Sequence, residues 1–444
     1  MSEPAPPAST DPLELIRTRA YVTLLVFGAM IGVPVAVVAA GFMQLVNVSQ
    51  EWLYETLPAD VGLDPVPTWW PVPLVALAGL VVAVAIDRLP GTGGHSPAAG
   101  MSATGTPAIG ELPGVVIAAF ASLAAGAVVG PEAPLIAIGG GLAAWSVHLV
   151  KKDAPEQATV VIGAAGSFAA ISTLLGSPIL GAFLLMEVAG LAGPMIGVVL
   201  VPGLLAAGIG SLVFLGINEI TGWGTFSLAV PDLPAFESIE AEQFLWAIAI
   251  GVLGAVLGSL IRRAALALEG LVADRRVLLS PVLGAGVGLS ALVFAELADK
   301  GVDQVLFSGE DALAPLIQDA GAWTAGALVL LVVAKSIAYG MSLSAFRGGP
   351  TFPAMFIGAA MGLALSHLPG LPPIAGVAMG IGAMSVTMLR LPLTSVLLTS
   401  LFLQADGVAL MPLTIVSVVV AFVAAARLSP QPGAGPAAAD VAAA

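Results

Sequence analysis

Long apolar stretches without a single Asp, Glu, Lys or Arg recur along nearly the whole chain, at 20–50, 65–86, 157–186, 188–218, 277–295 and 348–389. The hydrocarbon core of a bilayer takes about 20 helical residues, so these runs are read as membrane spans. The longest exceed one span and must hide helix pairs or half-helices. In lipid every backbone polar group needs an internal partner, which leaves helices as the spanning element for runs of this kind. Only 9% of the 444 residues are charged and 58% are hydrophobic, where an ordinary soluble domain carries roughly a quarter charged. The chain is therefore expected to be an all-α polytopic membrane protein. A net charge of −14 argues against nucleic acid, which wants basic patches, and most of the acidic excess falls in loops and ends. Zero Cys excludes disulfides and thiolate metal sites, and three scattered His leave no metal cluster. No metal or other cofactor is expected. No paired carboxylate or triad marks the membrane region as an enzyme.

Within this background, Gly130-Pro131-Glu132-Ala133-Pro134-Leu135-Ile136-Ala137-Ile138-Gly139 stands out. From Leu112 to Val150 the only ionisable side chains are Glu132 and His148. Gly-Pro before Glu132 and Pro134 after it predict a helix start. Such a start gathers free N–H groups at the positive end of the helix dipole, so it attracts either the chain's own carboxylate or a mobile anion. The two compete for one place. A second copy, Gly349-Pro350-Thr351-Phe352-Pro353-Ala354-Met355-Phe356-Ile357-Gly358, repeats Gly-Pro-x-x-Pro-x-x-x-Ile-Gly, with Thr351 where the first has Glu132. A second pair follows at nearly the same offset, Ser177-Pro178-Ile179-Leu180 and Leu391-Pro392-Leu393-Thr394. Internal repeats with Gly/Pro-interrupted apolar segments in corresponding places are the pattern of transporters whose site lies near the membrane midplane.

In chain order, 1–19 is a polar Pro/Ser/Ala-rich tail ending in Arg17 and Arg19, expected to be disordered and, by the positive-inside rule, cytoplasmic. The first repeat is placed at 20–218, an acidic inter-repeat loop at 219–242, the second repeat at 243–426 and a disordered tail at 427–444. Trp52, Tyr54, Trp69 and Trp70 suit an interfacial belt opposite the N terminus. Gly91-Thr92-Gly93-Gly94-His95-Ser96-Pro97-Ala98-Ala99-Gly100 is uncharged yet poor in apolar residues. It is either a pore element offering donors to a passing anion or a surface turn, and His95 is either a pH-sensitive pore group or a plain loop residue. Lys151, Lys152 and the cluster Arg262, Arg263, Arg275 and Arg276 are assigned to the cytoplasmic side. Glu187, at the end of an apolar run, faces the bundle interior or a water-filled edge, where it either braces helices or moves protons. The stretch from Glu296 to Asp319 reads as an acidic loop, and Lys335 as a snorkelling residue.

Over roughly 20–426 the chain resembles the CLC family of chloride channels and proton/chloride antiporters. The family's Gly-(Arg/Lys)-Glu-Gly-Pro is similar to Gly130-Pro131-Glu132-Ala133-Pro134, which maps its gating glutamate onto Glu132. Its Gly-Gly-x-Phe-x-Pro resembles Gly348-Gly349-Pro350-Thr351-Phe352-Pro353, with Thr351 where Phe is usual. Its Gly-Ser-Gly-Ile-Pro is matched loosely by Gly93-Gly94-His95-Ser96-Pro97, and its Arg-x-Pro-Leu-Thr by Arg390-Leu391-Pro392-Leu393-Thr394. The resemblance implies a CLC-type fold of two inverted-topology repeats with broken, tilted helices. It also implies a homodimer with one pore per subunit, in a cell (inner) membrane with both termini cytoplasmic. Anion-binding positions carried over are Gly94, His95, Ser96, Gly130, Pro131, Ala133, Gly349, Pro350, Thr351 and Phe352. Departures accompany the match. Gly94 takes the place of the anion-coordinating serine, no Tyr follows the last span, and Pro131 replaces the positive residue before the gating glutamate. Val188 stands at the internal proton-transfer glutamate, with Glu187 one position earlier. A valine there resembles the channels, so the expected function is a voltage- or pH-gated chloride or monovalent-anion channel, with Glu132 as the gate. A proton/chloride antiporter is the alternative, followed by a fluoride exporter and by a non-conducting paralogue or membrane scaffold.

Overall fold

The computed structural model describes residues 16–101, 106–190, 195–223, 236 and 238–428. Helix α1 (Arg19–Glu51) passes through a π turn (Trp52–Thr56) into Leu57–Asp60, and is followed by α2 (Pro71–Arg88), α3 (Leu112–Ala124), α4 (Glu132–Val150), α5 (Glu156–Leu175), α6 (Pro178–Val188) and α7 (Met195–Thr221). The later part contains α8 (Ala241–Asp274), α9 (Arg276–Ala298), α10 (Glu310–Gln318), α11 (Ala325–Ala345), α12 (Thr351–Leu365), α13 (Pro373–Leu389), α14 (Pro392–Phe402) and α15 (Gln404–Leu428). Nine helical segments among the described residues are long and apolar enough to cross a membrane. The chain is an integral, multi-pass membrane protein.

The over-long runs resolve as expected into broken pairs. Residues 157–186 divide at Gly176 and Pro178 into α5 and α6, and 348–389 divides at Gly370 and Pro372 into α12 and α13. Each break combines a left-handed glycine with a proline that cannot continue the helix. Helix α6, with 11 residues, is about 16 Å long and cannot cross alone.

Lipid gives little hydrophobic drive to helix pairing, so small residues and close backbone approach do the packing. A Cβ on Gly358 or Gly362 of α12 would run into the carbonyls of Gly380 and Gly376 on α13, and one on Gly139 of α4 would meet the carbonyl of Gly166 on α5.

Two faces can be followed from α1, a near face where it begins at Arg19 and a far face where its continuation ends at Asp60. The end of α4 is near: Val147 packs with Ile162, Leu24 and Phe27. The end of α12 is far: His367 Nε2 bonds the Trp323 carbonyl at 3.1 Å, and Lys300 lies 4.8 Å over the Trp323 ring, beside the end of α1. Helices α4 and α12 therefore start together in the interior and run to opposite faces. That is the inverted arrangement implied by the family resemblance.

Several expectations are corrected. The first helix continues to Asp60, and Tyr54 is no belt residue: its hydroxyl donates to the Ala125 carbonyl at 2.7 Å and its ring meets Phe307 edge-on. Trp70 Nε1 likewise donates to the Leu53 carbonyl at 2.9 Å, whereas Trp52 and Trp69 are exposed. Arg262 and Arg263 lie inside α8. The acidic stretch 296–319 contains α10, whose Leu313, Leu316 and Ile317 are buried. Arg19 and Arg427, assigned to tails, are helical; residues 1–15 and 429–444 lie outside the described residues.

The candidate anion site

Gly130 and Gly349 exchange two main-chain hydrogen bonds, N to O at 2.7 and 2.6 Å, and so bring both Gly-Pro starts to one point. The approach depends on missing side chains, because a Cβ on Gly349 would overlap the Glu132 carboxyl group. Pro131 and Pro350 carry no N–H, so the first free donors of the two helices belong to the residues that follow them.

Glu132 is completely buried. Its Oε1 accepts the Thr351 main-chain N–H at 2.5 Å, and its Oε2 has no partner among the described residues. The carboxylate of one helix start is thus seated on the start of the other. Thr351 and Phe352 are buried beside it, and the Thr351 hydroxyl lies 3.8 Å from Met101 Sδ. Tyr339, fully buried on α11, donates its hydroxyl to the Pro350 carbonyl at 2.7 Å and fixes the approach to Thr351.

A cavity reaches toward this junction from each face. The near cavity, about 720 Å³, is lined by Gly94, His95, Ser96, Ala133, Pro134 and Arg347 among others. The far cavity, about 950 Å³, is lined by Pro131, Tyr54, Gln304, Phe307 and Glu310 among others. Glu132 lines neither and stands between them. Residues 91–96 line the near cavity, in a stretch of two 3-10 turns, Pro90–Gly93 and Pro97–Ala99, with Gly91, Gly93 and Gly94 at φ of 82°, 68° and 91°. Thr92 shares the left-handed region at φ 50°, a conformation that side chains other than Asn and Asp seldom adopt. His95 is exposed on this wall, whereas the Ser96 hydroxyl is buried without a partner among the described residues.

Glu187 does not reach the junction. Its carboxylate accepts Leu393 N at 3.0 Å, Thr394 N at 2.8 Å and Thr394 Oγ1 at 2.6 Å, which caps the start of α14. Val188 packs against the apolar core.

Four residues that local sequence patterns did not mark surround the site. Tyr339 is one. Lys335, expected to snorkel, is instead fully buried, its ammonium donating to the carbonyls of Gln304, Val305 and Leu306 at 3.0–3.1 Å and lying 4.3 Å over the Phe356 ring. Glu310 lines the far cavity. Burial, then the neighbouring Asp311 and Glu132 charges, push its carboxyl up to about 8. Arg347, at the near cavity, is lowered to about 10 by burial and by Arg276, against the pull of Glu269, so it stays a cation at neutral pH. Only contacts from distant segments distinguish these groups from ordinary loop and helix residues.

This geometry has known counterparts. The voltage gated chloride channel family profile matches residues 78–426. The putative ion-transport protein YfeO of Salmonella paratyphi A is 29% identical over 364 residues, covering 80% of this chain and 84% of that protein. Its counterpart from Salmonella typhimurium is likewise 29% identical over 364 residues, with the same coverage. Among solved structures, a slow cyanobacterial Cl⁻/H⁺ antiporter superposes with a TM-score of 0.74 at 21% identity, covering 92% of this chain and 95% of that one. A CLC-type fluoride/proton antiporter gives a TM-score of 0.61 at 18% identity, covering 93% and 97%. Profile, relatives and architecture agree: the chain belongs to the voltage-gated chloride channel (CLC) family of anion transporters.

Proposed function

We propose that the protein passes chloride or a similar monovalent anion through the junction at Glu132, and that the Glu132 carboxylate is the gate. The observation that carries this reading is the Thr351 N–H held by Glu132 at a helix start between two cavities. Ionised, the carboxylate fills the place where an anion would be bound; protonated, it loses its attraction to the helix end and yields it. Gly130, Pro131, Ala133, Gly349, Pro350, Thr351 and Phe352 shape that place, and Gly94, His95 and Ser96 form its near approach.

We read the transport as uncoupled to protons. Val188 offers no proton-transfer group, and both Glu187 oxygens are engaged at the start of α14. Proton-coupled exchange, the activity of the similar Cl⁻/H⁺ and fluoride/proton antiporters, is the second reading. It is favoured by the near cavity, which extends from Leu185 and Ala189 to Ala133 and, at about 30 Å³ per water, has room for a water chain past Val188. Residues 20–218 and 243–426 are taken as the two repeats, both termini as cytoplasmic, the cell membrane as the location and a homodimer as the assembly.

Reversal potentials of the purified protein in planar bilayers, under a chloride gradient with and without a pH gradient, separate the readings. A potential at the chloride equilibrium value, indifferent to the pH gradient, is expected. Displacement by the proton gradient would establish exchange in its place. Replacing chloride by fluoride in the same bilayer tests the fluoride alternative.

A further inference from the structure

Glu132 has to gain a proton for the gate to yield, yet its carboxyl group is completely buried and lines neither cavity. Oε1 is occupied by the Thr351 N–H, and Oε2 has no partner among the described residues, so Oε2 is the atom that receives the proton. A proton coming from the far solution needs a carrier over the last step. The far cavity reaches Pro131, the residue before Glu132, and Glu310 lines that same cavity.

Glu310 opens α10 beside the start of α12. A Cβ on Gly309 would run into the Phe356 ring, one turn beyond Phe352. A carboxyl group in the first turn of a helix is ordinarily held ionised by the positive end of the dipole. At Glu310 burial and the Asp311 and Glu132 charges outweigh that pull, so the group keeps its proton up to about pH 8. Its own N–H is satisfied by the Ser308 hydroxyl at 3.2 Å.

The surroundings favour reloading. Asp311 follows on α10, Asp303 lies on the turn Val302–Gln304, and Glu51, Tyr54 and Glu55 face the cavity from the end of α1 and its π turn. Tyr54 donates its hydroxyl to the Ala125 carbonyl. Lys335 on α11 is turned to the carbonyls of Gln304, Val305 and Leu306, and α12 carries no titratable side chain. Glu51, Glu55, Asp303 and Asp311 against Lys300 draw protons into the cavity.

We propose that Glu310 is the proton donor to the gate, passing its carboxyl proton to Glu132 Oε2 directly or through one water of the far cavity. The O–H bond on Glu310 breaks as the one on Glu132 forms, and one carboxylate replaces the other. Two neighbouring carboxyl groups resist ionising together, so the pair holds a proton throughout. The ionised Glu310 then takes a replacement proton from the cavity. This rests on the gate reading above and adds which group loads the gate.

Glu310→Gln in planar bilayers tests the relay. After rapid acidification of the far-face solution, its current should rise about a hundredfold more slowly than in wild type, the lower end of what a positioned proton donor contributes. A carrier speeds both directions alike, so closing on return to alkaline solution should slow by the same factor. Glu310→Asp should recover part of the speed. Imidazole in the far solution, small enough for a cavity of about 950 Å³, should recover it in Glu310→Gln. Wild-type speed in folded Glu310→Gln would overturn the relay, and so would slowing of one direction alone, which marks a shifted equilibrium. Slowing that neither Asp nor imidazole relieves would also overturn it, leaving Glu310 a structural role. Time-resolved infrared spectra of the detergent-solubilised protein follow the same acid jump without current, through the carboxyl band that Glu132→Gln removes. A delay of that band in Glu310→Gln, in a protein that carries no current, would uphold the relay and remove the transport reading. A band that rises equally fast in both proteins would remove the relay alone.

Discussion

Glu132→Gln is the most informative single change, because it keeps the shape of the plug and removes its charge. The wild-type carboxylate accepts the Thr351 N–H at 2.5 Å. A hydrogen bond to a charged group contributes about 1.5–3 kcal/mol against about 0.5–1.5 for a neutral one. The positive end of α12 adds about 0.3 to 2 kcal/mol for an anion, the upper part of the range applying to a buried position. Neutralising the side chain therefore releases roughly 1.3–3.5 kcal/mol of the plug's hold. At 1.4 kcal/mol per tenfold, an anion should gain access to the junction by about tenfold to three-hundredfold. The assay is anion current per reconstituted protein across a pH series. In wild type the current should rise as pH falls, because protonation does what the substitution does. In Glu132→Gln it should be high throughout and flat with pH. A variant with wild-type current and wild-type pH dependence would refute the competition between Glu132 and the anion.

Other side chains make separate claims. Glu187→Ala strips three donors at the start of α14 and should cost about 0.5–2 kcal/mol, read as a lower unfolding temperature in detergent with the reversal potential unmoved; loss of proton coupling at unchanged stability would place Glu187 on a proton path instead. Glu310 is raised from 4.5 to about 8, so between those values the folded chain keeps a proton that the unfolded chain has released, and stability falls as pH rises through that window. Glu310→Gln should remove this slope, matching wild type near pH 4 and exceeding it near pH 9 in thermal unfolding, and an unchanged slope would contradict the assignment. Lys335→Met leaves the carbonyls of Gln304, Val305 and Leu306 without their shared donor, about 1–3 kcal/mol for an unsatisfied buried group; an unfolding temperature equal to wild type would show that the far cavity wall does not depend on it.

The spans and the two helix starts were legible because their signals are local. Uncharged runs announce spans, a Gly-Pro pair announces a start, and the same pattern at 130–139 and 349–358 announces duplication. Periodicity added little, since helices such as α12 and α13 are buried all round and show no polar stripe. The acidic stretch 296–319 concealed α10 because Glu310 and Asp311, which open that helix, look like loop composition until Leu313, Leu316 and Ile317 are seen turned inward. Lys335 and Arg347 were illegible for a different reason. Each is a lone cation whose partners lie far along the chain, Gln304 to Leu306 for one and Thr92 for the other, and no spacing rule records such a contact.

The duplication is also where the asymmetry of the path begins. If both starts carried a carboxylate, two like charges would meet across the Gly130–Gly349 bridge, and burying both ionised would be prohibitive. Thr351 in the second copy supplies a backbone donor and no charge, so one repeat provides the plug and the other the seat. The surroundings follow the same division. The far cavity gathers Glu51, Glu55, Asp303 and Asp311 against Lys300, a field that concentrates protons and repels anions. The near cavity sets Arg347 and the Ser96 hydroxyl against Glu111 and lacks that acidic excess. Protons are therefore drawn toward Glu132 from the far side, so acid on the far face should open the gate to anions that enter from the near face.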